Sequence, residues 1–378
     1  MSKSHVPKQP KRIVSNKSNV EGILPYDSDN LYPQNMENLV KSSGMASSCV
    51  DLLAKFIRGK GYADNTFYKT KINNKGLTLD KLNRFTSLDE AKCGGSSWLI
   101  KYNGLLEIDE VFYIPFKHCR LAGVDENGYV SKIAVYDDWE CQKEGKILKE
   151  KIQYYDIYNP DPEAIMSQIE LVGAEAYHGQ IYWTSNTGSI EYPLAVYDSV
   201  REDIATDSNL KKFRMNNVDT GFAPALIVEY AYEFSGEEEE QAEAENWRGF
   251  KGPDNVNKII MIQNKNGNSE DRALRITPVQ GNNNDKLYEL TAKTVKDSIV
   301  ESFSQPKVLL GVQSDGGITF SNDVLKDAFD YYNSVTYDAR LQLEEKTKEI
   351  FTRFKKVINA TGNYSIIPLS FGNTTNNA

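Results

Sequence analysis

The chain has 378 residues, about two and a half times an average domain of roughly 150, which excludes a single small domain and sets the expectation of two or three packed units. With 40% hydrophobic, 11% aromatic and 26% charged residues, and no apolar run of the 18 or more residues a membrane span needs, it reads as a folded soluble chain. Its 44 basic and 53 acidic residues leave a net charge of −9, which excludes a surface made to hold nucleic acid everywhere; any contact with DNA must be local or weak.

The first twenty residues carry Lys3, Lys8, Lys11, Arg12 and Lys17 with no acidic partner and almost no apolar content. They lack the hydrophobic centre of a secretory signal and read as an unstructured basic arm, assigned to residues 1–22. Cys49, Cys93, Cys119 and Cys141 are scattered, with only His5, His118 and His178 beside them, a usage that fits a reduced, intracellular protein. His118 next to Cys119 has no second pair at ligand spacing, so its reading is structural and no metal is expected.

From Ile23 the chain runs LPYDSDNLYP and then an amphipathic stretch from Pro33 to Ile57, with Met36, Leu39, Val40, Val50, Leu53 and Phe56 at helical spacing. Gly59-Lys60-Gly61 ends it, and a second helix is expected around Leu79 to Lys92. Between Ser97 and Trp183 short apolar runs with period two replace this pattern. They centre on Trp98–Ile100, Val111–Ile114, Ile133–Tyr136, Tyr154–Ile157 and Gln180–Trp183, separated by Asn-Gly and Asn-Pro turns. The N-terminal half is thus expected to be α+β with mainly antiparallel strands.

Pro193 suits a helix start, and Val196, Tyr197, Val200, Ile204 and Phe213 follow at mostly helical offsets, giving one helix of about twenty residues. Residues 217–285 then hold strand-like Ala225–Val228 and Lys258–Ile262 around a charged segment with 13 acidic and 6 basic residues, a net of −7. Leu287, Leu290, Val295, Ile299 and Phe303 form the stripe of a returning helix. Ser304-Gln305-Pro306 breaks it, a glycine-rich loop follows, and Ser321 or Asn322 caps the next helix with Asp323 in its first turn. With no glycine or proline between Asn322 and Ala360, that last helix is expected to run unbroken for about 36 residues, on the order of 55 Å. A strand-like Ser365 to Phe371 and a polar tail close the chain.

No phosphate-binding Gly-x-x-x-x-Gly-Lys loop, His-Glu-x-x-His or Gly-x-Ser-x-Gly motif occurs, so neither an ATP-driven motor nor a nucleophilic hydrolase has a foothold. Asp27 with Asp29, and Asp137 with Asp138, have a spacing that suits Mg²⁺ and phosphodiester cleavage, but also that of ordinary acidic turns. The run Glu237 to Glu240 reads either as a solvated face or as a docking surface for a basic partner. The 22 Tyr, 15 Phe and 4 Trp show no basic-aromatic interleave of the kind that stacks single strands. Spacing and composition alone describe a multi-element, assembly-prone, non-enzymatic protein.

Three stretches taken in order resemble the portal proteins of tailed bacteriophages: DNLYPQNMENLVKSSGMASSCVDLLAKFIRGKGY, SIEYPLAVYDSVREDIATDSNLKKFRMNN and IVESFSQPKVLLGVQSDGGITFSND. In the last, Phe303, Pro306, Leu309, Leu310, Gly311, Phe320, Ser321 and Asn322 carry the likeness. Each motif is short, and their order over nearly the whole chain makes the resemblance.

The resemblance implies an α+β subunit with a mixed wing at residues 23–192, antiparallel stem helices at 193–215 and 284–303, and an acidic clip at 216–283. A tunnel loop at 304–321, a long wing helix at 322–358 and a minimal crown or tail at 359–378 complete it. Family members often have a proline within the long helix; its absence here removes the reason to expect a kink. Tyr197, Val200, Ile204, Leu287, Leu290, Val295 and Ile299 become stem contacts between copies. Glu237, Glu238, Glu239, Glu240, Glu243 and Glu245 become the clip's docking surface, and Gln313, Ser314, Asp315, Gly316 and Gly317 the tunnel lining. On composition alone that loop is an ordinary surface connection.

The function the resemblance implies is a homo-oligomeric ring, usually of twelve subunits in the family, at a capsid vertex of the virion, assembled in the bacterial host cytoplasm. Double-stranded DNA passes through it during genome packaging and ejection; terminase, a head-tail adaptor and the major capsid protein are its partners, with no cofactor, membrane or catalysis. Twelve copies at −9 sum to −108, and a channel poor in cations releases few counterions and lets a duplex slide. The alternatives are a metal-dependent nuclease using the aspartate pairs, or another head-tail structural protein.

Overall fold

The computed structural model describes residues 20–124, 128–143, 145–219, 226–230, 236, 238, 241–242, 259–263, 274–278, 285–311 and 321–372. They belong to two compact units. The larger is formed by the chain up to Arg201 and again from Ile299 onward, and the smaller by Glu202–Ser298. The fold class is α+β, as expected.

The first amphipathic stretch is two helices instead of one, α1 (Tyr32–Ser42) and α2 (Gly44–Arg58). Ser43 separates them in an extended conformation, and its hydroxyl accepts from the Ala46 N–H, so a serine that looked like part of a helix acts as a cap. Gly59 ends α2 with a positive φ, and a Cβ there would lie 2.2 Å from the Ile367 carbonyl oxygen. Only glycine lets the end of the chain come so close. After the single turn α3 (Asn65–Tyr68), α4 (Leu79–Cys93) is capped by Thr78 and stopped by left-handed Gly94.

Six strands follow: β1 (Gly95–Tyr102), β2 (Ile108–Ile114), β3 (Cys119–Val124), β4 (Val130–Val135), β5 (Gln153–Ile157) and β6 (Gln180–Ser185). They form one sheet in the order β2-β1-β6-β5-β4-β3. All pairs are antiparallel except β5 with β6, which run parallel because α5 (Pro162–Val172) carries the chain across between them. Neither β3 nor α5 was expected from the sequence: β3 is short, and α5 follows an Asn-Pro turn without a long apolar stripe. Trp98 on β1 is 1% exposed and donates its indole N–H to Thr86 on α4, fixing that helix on the sheet.

The loop LPYDSDNLYP is organised by a buried cation. Arg120 on β3 is fully buried and donates to the Asn30 carbonyl and side-chain oxygens, to Gln34 Oε1 and to the carbonyls of Lys117 and Cys119, while its guanidinium lies 4.9 Å from the Trp139 ring. Its donors are thus met by carbonyl and amide oxygens in a planar fork that lysine does not offer. Tyr26 stacks between Tyr32 and Tyr192 beside it, at 4.8 and 4.0 Å.

The expected unbroken C-terminal helix is two helices, numbered α8 (Asn322–Val335) and α9 (Tyr337–Phe351) after α6 (Arg201–Asp219) and α7 (Asp285–Ser302), which lie mainly in the smaller unit. The break needs no proline. Buried Thr336 returns its hydroxyl to the Tyr332 carbonyl, and buried Arg340 donates to the Asn333 carbonyl, the Asn333 side chain and the Phe56 carbonyl, so the freed groups at the bend have partners. The helix also ends earlier than expected. At Phe354 the chain bridges Ile108 on β2, and at Ile366 it bridges Tyr62. Residues 359–372, expected as a minimal crown or tail, therefore pack back on the body, with Tyr364 and Ile366 buried.

Lys346 on α9 is 2% exposed. Its Nζ donates to Ser96 Oγ at 3.0 Å and Thr184 Oγ1 at 3.1 Å, and stands 4.4 Å from the Trp98 ring centre. The same two hydroxyls donate to Glu90 on α4, which borders a cavity. Burial pushes the ammonium's pKa down and the carboxyl's up, and each charge opposes the other's shift.

Glu90→Gln leaves a buried ammonium without its countercharge. It is expected to lower urea-unfolding stability by about 2–3 kcal/mol, below a fully buried pair because Glu90 opens on a cavity, and Glu90→Gln with Lys346→Met is expected to recover most of that loss. A second expectation concerns Asp89, whose carboxyl burial raises to about 6 although it accepts from the Tyr113 hydroxyl and the Phe116 N–H. The folded state then holds its proton more tightly than the unfolded state, so stability falls as pH rises from the ordinary carboxylate range through 6. Asp89→Asn flattens that slope, by on the order of 1 kcal/mol at this partly accessible site, in unfolding curves taken from pH 4 to 7.

Candidate assembly elements

The helix that carries the chain into the smaller unit, α6 (Arg201–Asp219), starts at Arg201 and not at Pro193 as expected. Residues 193–197 are irregular and Asp198–Val200 form a single 3-10 turn, because Tyr32 holds this entry: its hydroxyl donates to Asp198 and accepts from the Ala195 N–H. The return helix α7 (Asp285–Ser302) matches the expected stripe closely. Ser298 donates to Asp203 at 2.5 Å, Tyr288 donates to the Leu210 carbonyl at 3.0 Å, and the Phe213 and Tyr288 rings are 5.9 Å apart. Early positions of α6 meet late positions of α7 and the reverse, so the helices run antiparallel. Lys211 pairs with buried Asp207 one turn away at 2.7 Å.

Between the helices lies a three-stranded sheet in the order β8-β7-β9, made of β7 (Leu226–Tyr230), β8 (Ile259–Gln263) and β9 (Leu274–Pro278). β7 pairs parallel with β8 and antiparallel with β9, with Leu226 opposite both Ile259 and Pro278. The first two strands were legible as apolar runs. β9, with Arg275 in its middle, was not.

Of the acidic positions, Glu238 is exposed, while Glu237, Glu239, Glu240, Glu243 and Glu245 lie outside the described residues. So do Gln313, Ser314, Asp315, Gly316, Gly317 and Phe320.

The seven expected stem contacts divide. Tyr197, Ile204, Val295 and Ile299 are buried within the single chain, so their side chains are already packed and not presented to a neighbour. Tyr197 stacks on Phe303 at 5.2 Å and donates its hydroxyl to the Lys92 carbonyl. Val200 is half-buried, and Leu287 lies on α7 with its side chain outside the described residues. Of the six described, Leu290 is the exposed one, at 61%, joined by Phe213 and Met215 on α6. An apolar stripe marks a core as readily as an interface, and here most of it is core.

The motif residues form a turn on the larger unit. Pro306 leads into a 3-10 turn, Lys307–Leu310, in which Leu309 and Leu310 are half-buried, and Gly311 ends it in the left-handed conformation. Gln305, which the sequence did not single out, anchors the turn: it is buried and donates Nε2 to the Cys49 carbonyl and to the Tyr332 hydroxyl, 2.7 Å each. Ser321 caps α8 by accepting from the Val324 N–H, and Asn322 is its first residue.

The aspartate pairs of the nuclease alternative act as turn acceptors. Asp27 accepts from the Ser28 N–H, and Asp29 from the Leu31 N–H and the Asn35 side chain. Asp138 accepts from the N–H groups of Gln142 and Lys143, and Asp137 pairs with the Lys143 ammonium. Among the described residues no group of three His, Cys, Asp or Glu side chains is placed to hold a metal ion, and no helix is long and apolar enough to cross a membrane. His118 contributes its carbonyl, which accepts from the Tyr136 N–H and the Trp139 indole.

No family model matches the sequence, and no curated protein matches it. Among solved structures, the chain is similar to one in the virion of a native gene transfer agent particle, at 12% identity and a TM-score of 0.46, covering 78% of this chain and 74% of that one. It is similar to a chain in the neck of that native particle computed with C12 symmetry, at 11% identity and a TM-score of 0.42 over 79% and 76% of the two chains. It is also similar to an HK97-family phage portal protein from Corynebacterium diphtheriae, at 9% identity and a TM-score of 0.39 over 70% and 75%.

Proposed function

We propose that the chain is the subunit of a portal ring, a conduit for double-stranded DNA at a capsid vertex. The observation that carries the reading is the antiparallel pair α6 and α7, which leaves and re-enters the sequence of the larger unit and encloses the strongly acidic module. The portal-like motifs stand at the same points of the chain: one at the entry to α6, one from the end of α7 through the Pro306 turn into α8.

In this reading α6, α7 and their copies line a channel, with Leu290, Phe213 and Met215 exposed for contacts between copies. The larger unit is the wing. The acidic module is the clip, where terminase docks during packaging and a head-tail adaptor afterwards, and residues 304–321 are the tunnel loop. The subunit moves nothing by itself; force comes from a separate ATPase, and the ring supplies a passage of low adhesion. Excess negative charge limits phosphate neutralisation, which drives DNA binding, so the duplex passes without being held.

Native mass spectrometry of the purified full chain is expected to give a closed ring, with a central hole in negative-stain images; a monomer at all concentrations overturns the reading. Replacing Glu237, Glu238, Glu239 and Glu240 by lysine is expected to leave rings intact and to lower binding of the packaging terminase at least tenfold, about 1.4 kcal/mol, in surface-immobilised binding assays. Unchanged binding removes the clip role from this run.

A further inference from the structure

Charge is segregated within the larger unit. From Gln153 to Val200 the chain has no lysine or arginine and carries seven acidic residues. In the middle of this stretch α5 ends in a knuckle: Gly173 caps it with φ +86°, and Glu170 through Ala176 are all exposed. Its apolar side chains are not covered, with Leu171 82%, Met166 50% and Val172 45% exposed, whereas Ile165 faces the body. The apolar tip of this amphipathic helix, between Glu170 and Glu175, has no cover among the described residues.

The same unit has a receptacle of opposite character. A cavity of about 290 Å³ opens between α1, α4 and the end of β2, with an apolar lining that includes Pro33, Phe85, Leu88, Tyr113 and Pro115. Its volume is at the small end of ligand-sized clefts, room for a branched side chain and its neighbour. Lys92 and Lys117 border it, and both, with Lys41, converge on Glu37 at 3.4, 2.8 and 3.3 Å. Although burial opposes the shift, these three cations hold the Glu37 carboxyl at about 2. Three ammonium groups therefore stand against two carboxylates, Glu37 and Asp89, and on α4 the exposed Lys81 and Arg84 outnumber the exposed Asp80. Basic side chains around an apolar pocket with Phe85 exposed at its rim complement an acidic, apolar knob.

Knuckle and cavity belong to one rigid sheet but to different ends of it. α5 leads into β6 at Gln180, opposite Ile100, while Pro115 and Lys117 follow β2 beyond Ile114, opposite Ser97 at the start of β1. Two complementary but different patches on one chain make a head-to-tail contact, the kind that closes into rings.

We propose that the knuckle of α5 docks into the Pro33–Phe85–Tyr113 cavity of an adjacent copy, with Leu171 as the apolar plug and Glu170 and Glu175 facing the lysines of Lys41, Lys92 and Lys117. The proposal rests on the ring reading above and names the contact that closes it.

The test uses full-length chains and native mass spectrometry. Glu170→Lys with Glu175→Lys inverts the knob; E37K/K41E/K92E/K117E inverts the receptacle while keeping its internal ion pairs. Each variant alone is expected to shift from ring to protomer, and an equimolar mixture of the two is expected to regain rings, since every contact in an alternating ring is then complementary. Leu171→Asp, at a solvent-exposed position, gives the same loss with unchanged circular dichroism and keeps the test informative if the fourfold variant fails to fold. Wild-type rings that persist in E170K/E175K and in L171D overturn the contact and leave the ring standing. Loss in both inverted variants without recovery on mixing also overturns it, and a wild-type monomer overturns the ring itself.

Discussion

A single ammonium group fixes where the C-terminal helix lies on the sheet of the larger unit. Lys346 comes from α9, Glu90 from α4, Ser96 from β1 and Thr184 from β6, so one hydrogen-bonded cluster joins a lysine to a serine 250 residues earlier and to the carboxylate beside it. Two apolar layers would pack there in several registers; a buried lysine that must find two hydroxyls and a carboxylate allows one. Everything beyond it, including the bend at Thr336 and the return of the chain to β2, is set by where that helix lies on the sheet.

The insertion of the smaller unit follows from the same arrangement. Because the larger unit is fixed on both sides of the excursion, by Tyr32 at Asp198 and Ala195 and by Gln305 at Cys49 and Tyr332, the chain can leave and return without loosening the body. α6 and α7 need only agree with each other, through Asp203 with Ser298 and Leu210 with Tyr288. Separating the two tasks lets the acidic module vary in charge and length while the body keeps its core.

Much of this was legible in the sequence where a period is long and clean. α4, α7 and five of the six strands of the large sheet lie where apolar spacing puts them. The misplaced helix boundaries share a cause: breaks made by side chains instead of by glycine or proline. Ser43 and Thr336 look like ordinary helical residues until their hydroxyls are seen to cap one helix and bend another, and Arg340 looks like a surface charge until it is found filling the bend. The stripe on α6 and α7 was read as interface, yet Ile204, Val295 and Ile299 are core, because periodicity says which face is apolar and not what covers it. Gln305 and Lys346 had no signal at all. A lone polar residue among apolar neighbours resembles a solvated position, and only the distant partners reveal the difference.

The bridges of Tyr62 with Ile366 and of Ile108 with Phe354 order events during synthesis. A ribosome delivers the helices and strands of the first two hundred residues early, but the aromatic surface around Phe67 remains open until Phe351 and Tyr364 emerge to cover it. The smaller unit lies wholly upstream of that point and is free to fold first. A polypeptide cut short before Phe351 keeps those aromatics bare, an exposed apolar surface of the kind that aggregates before folding is complete.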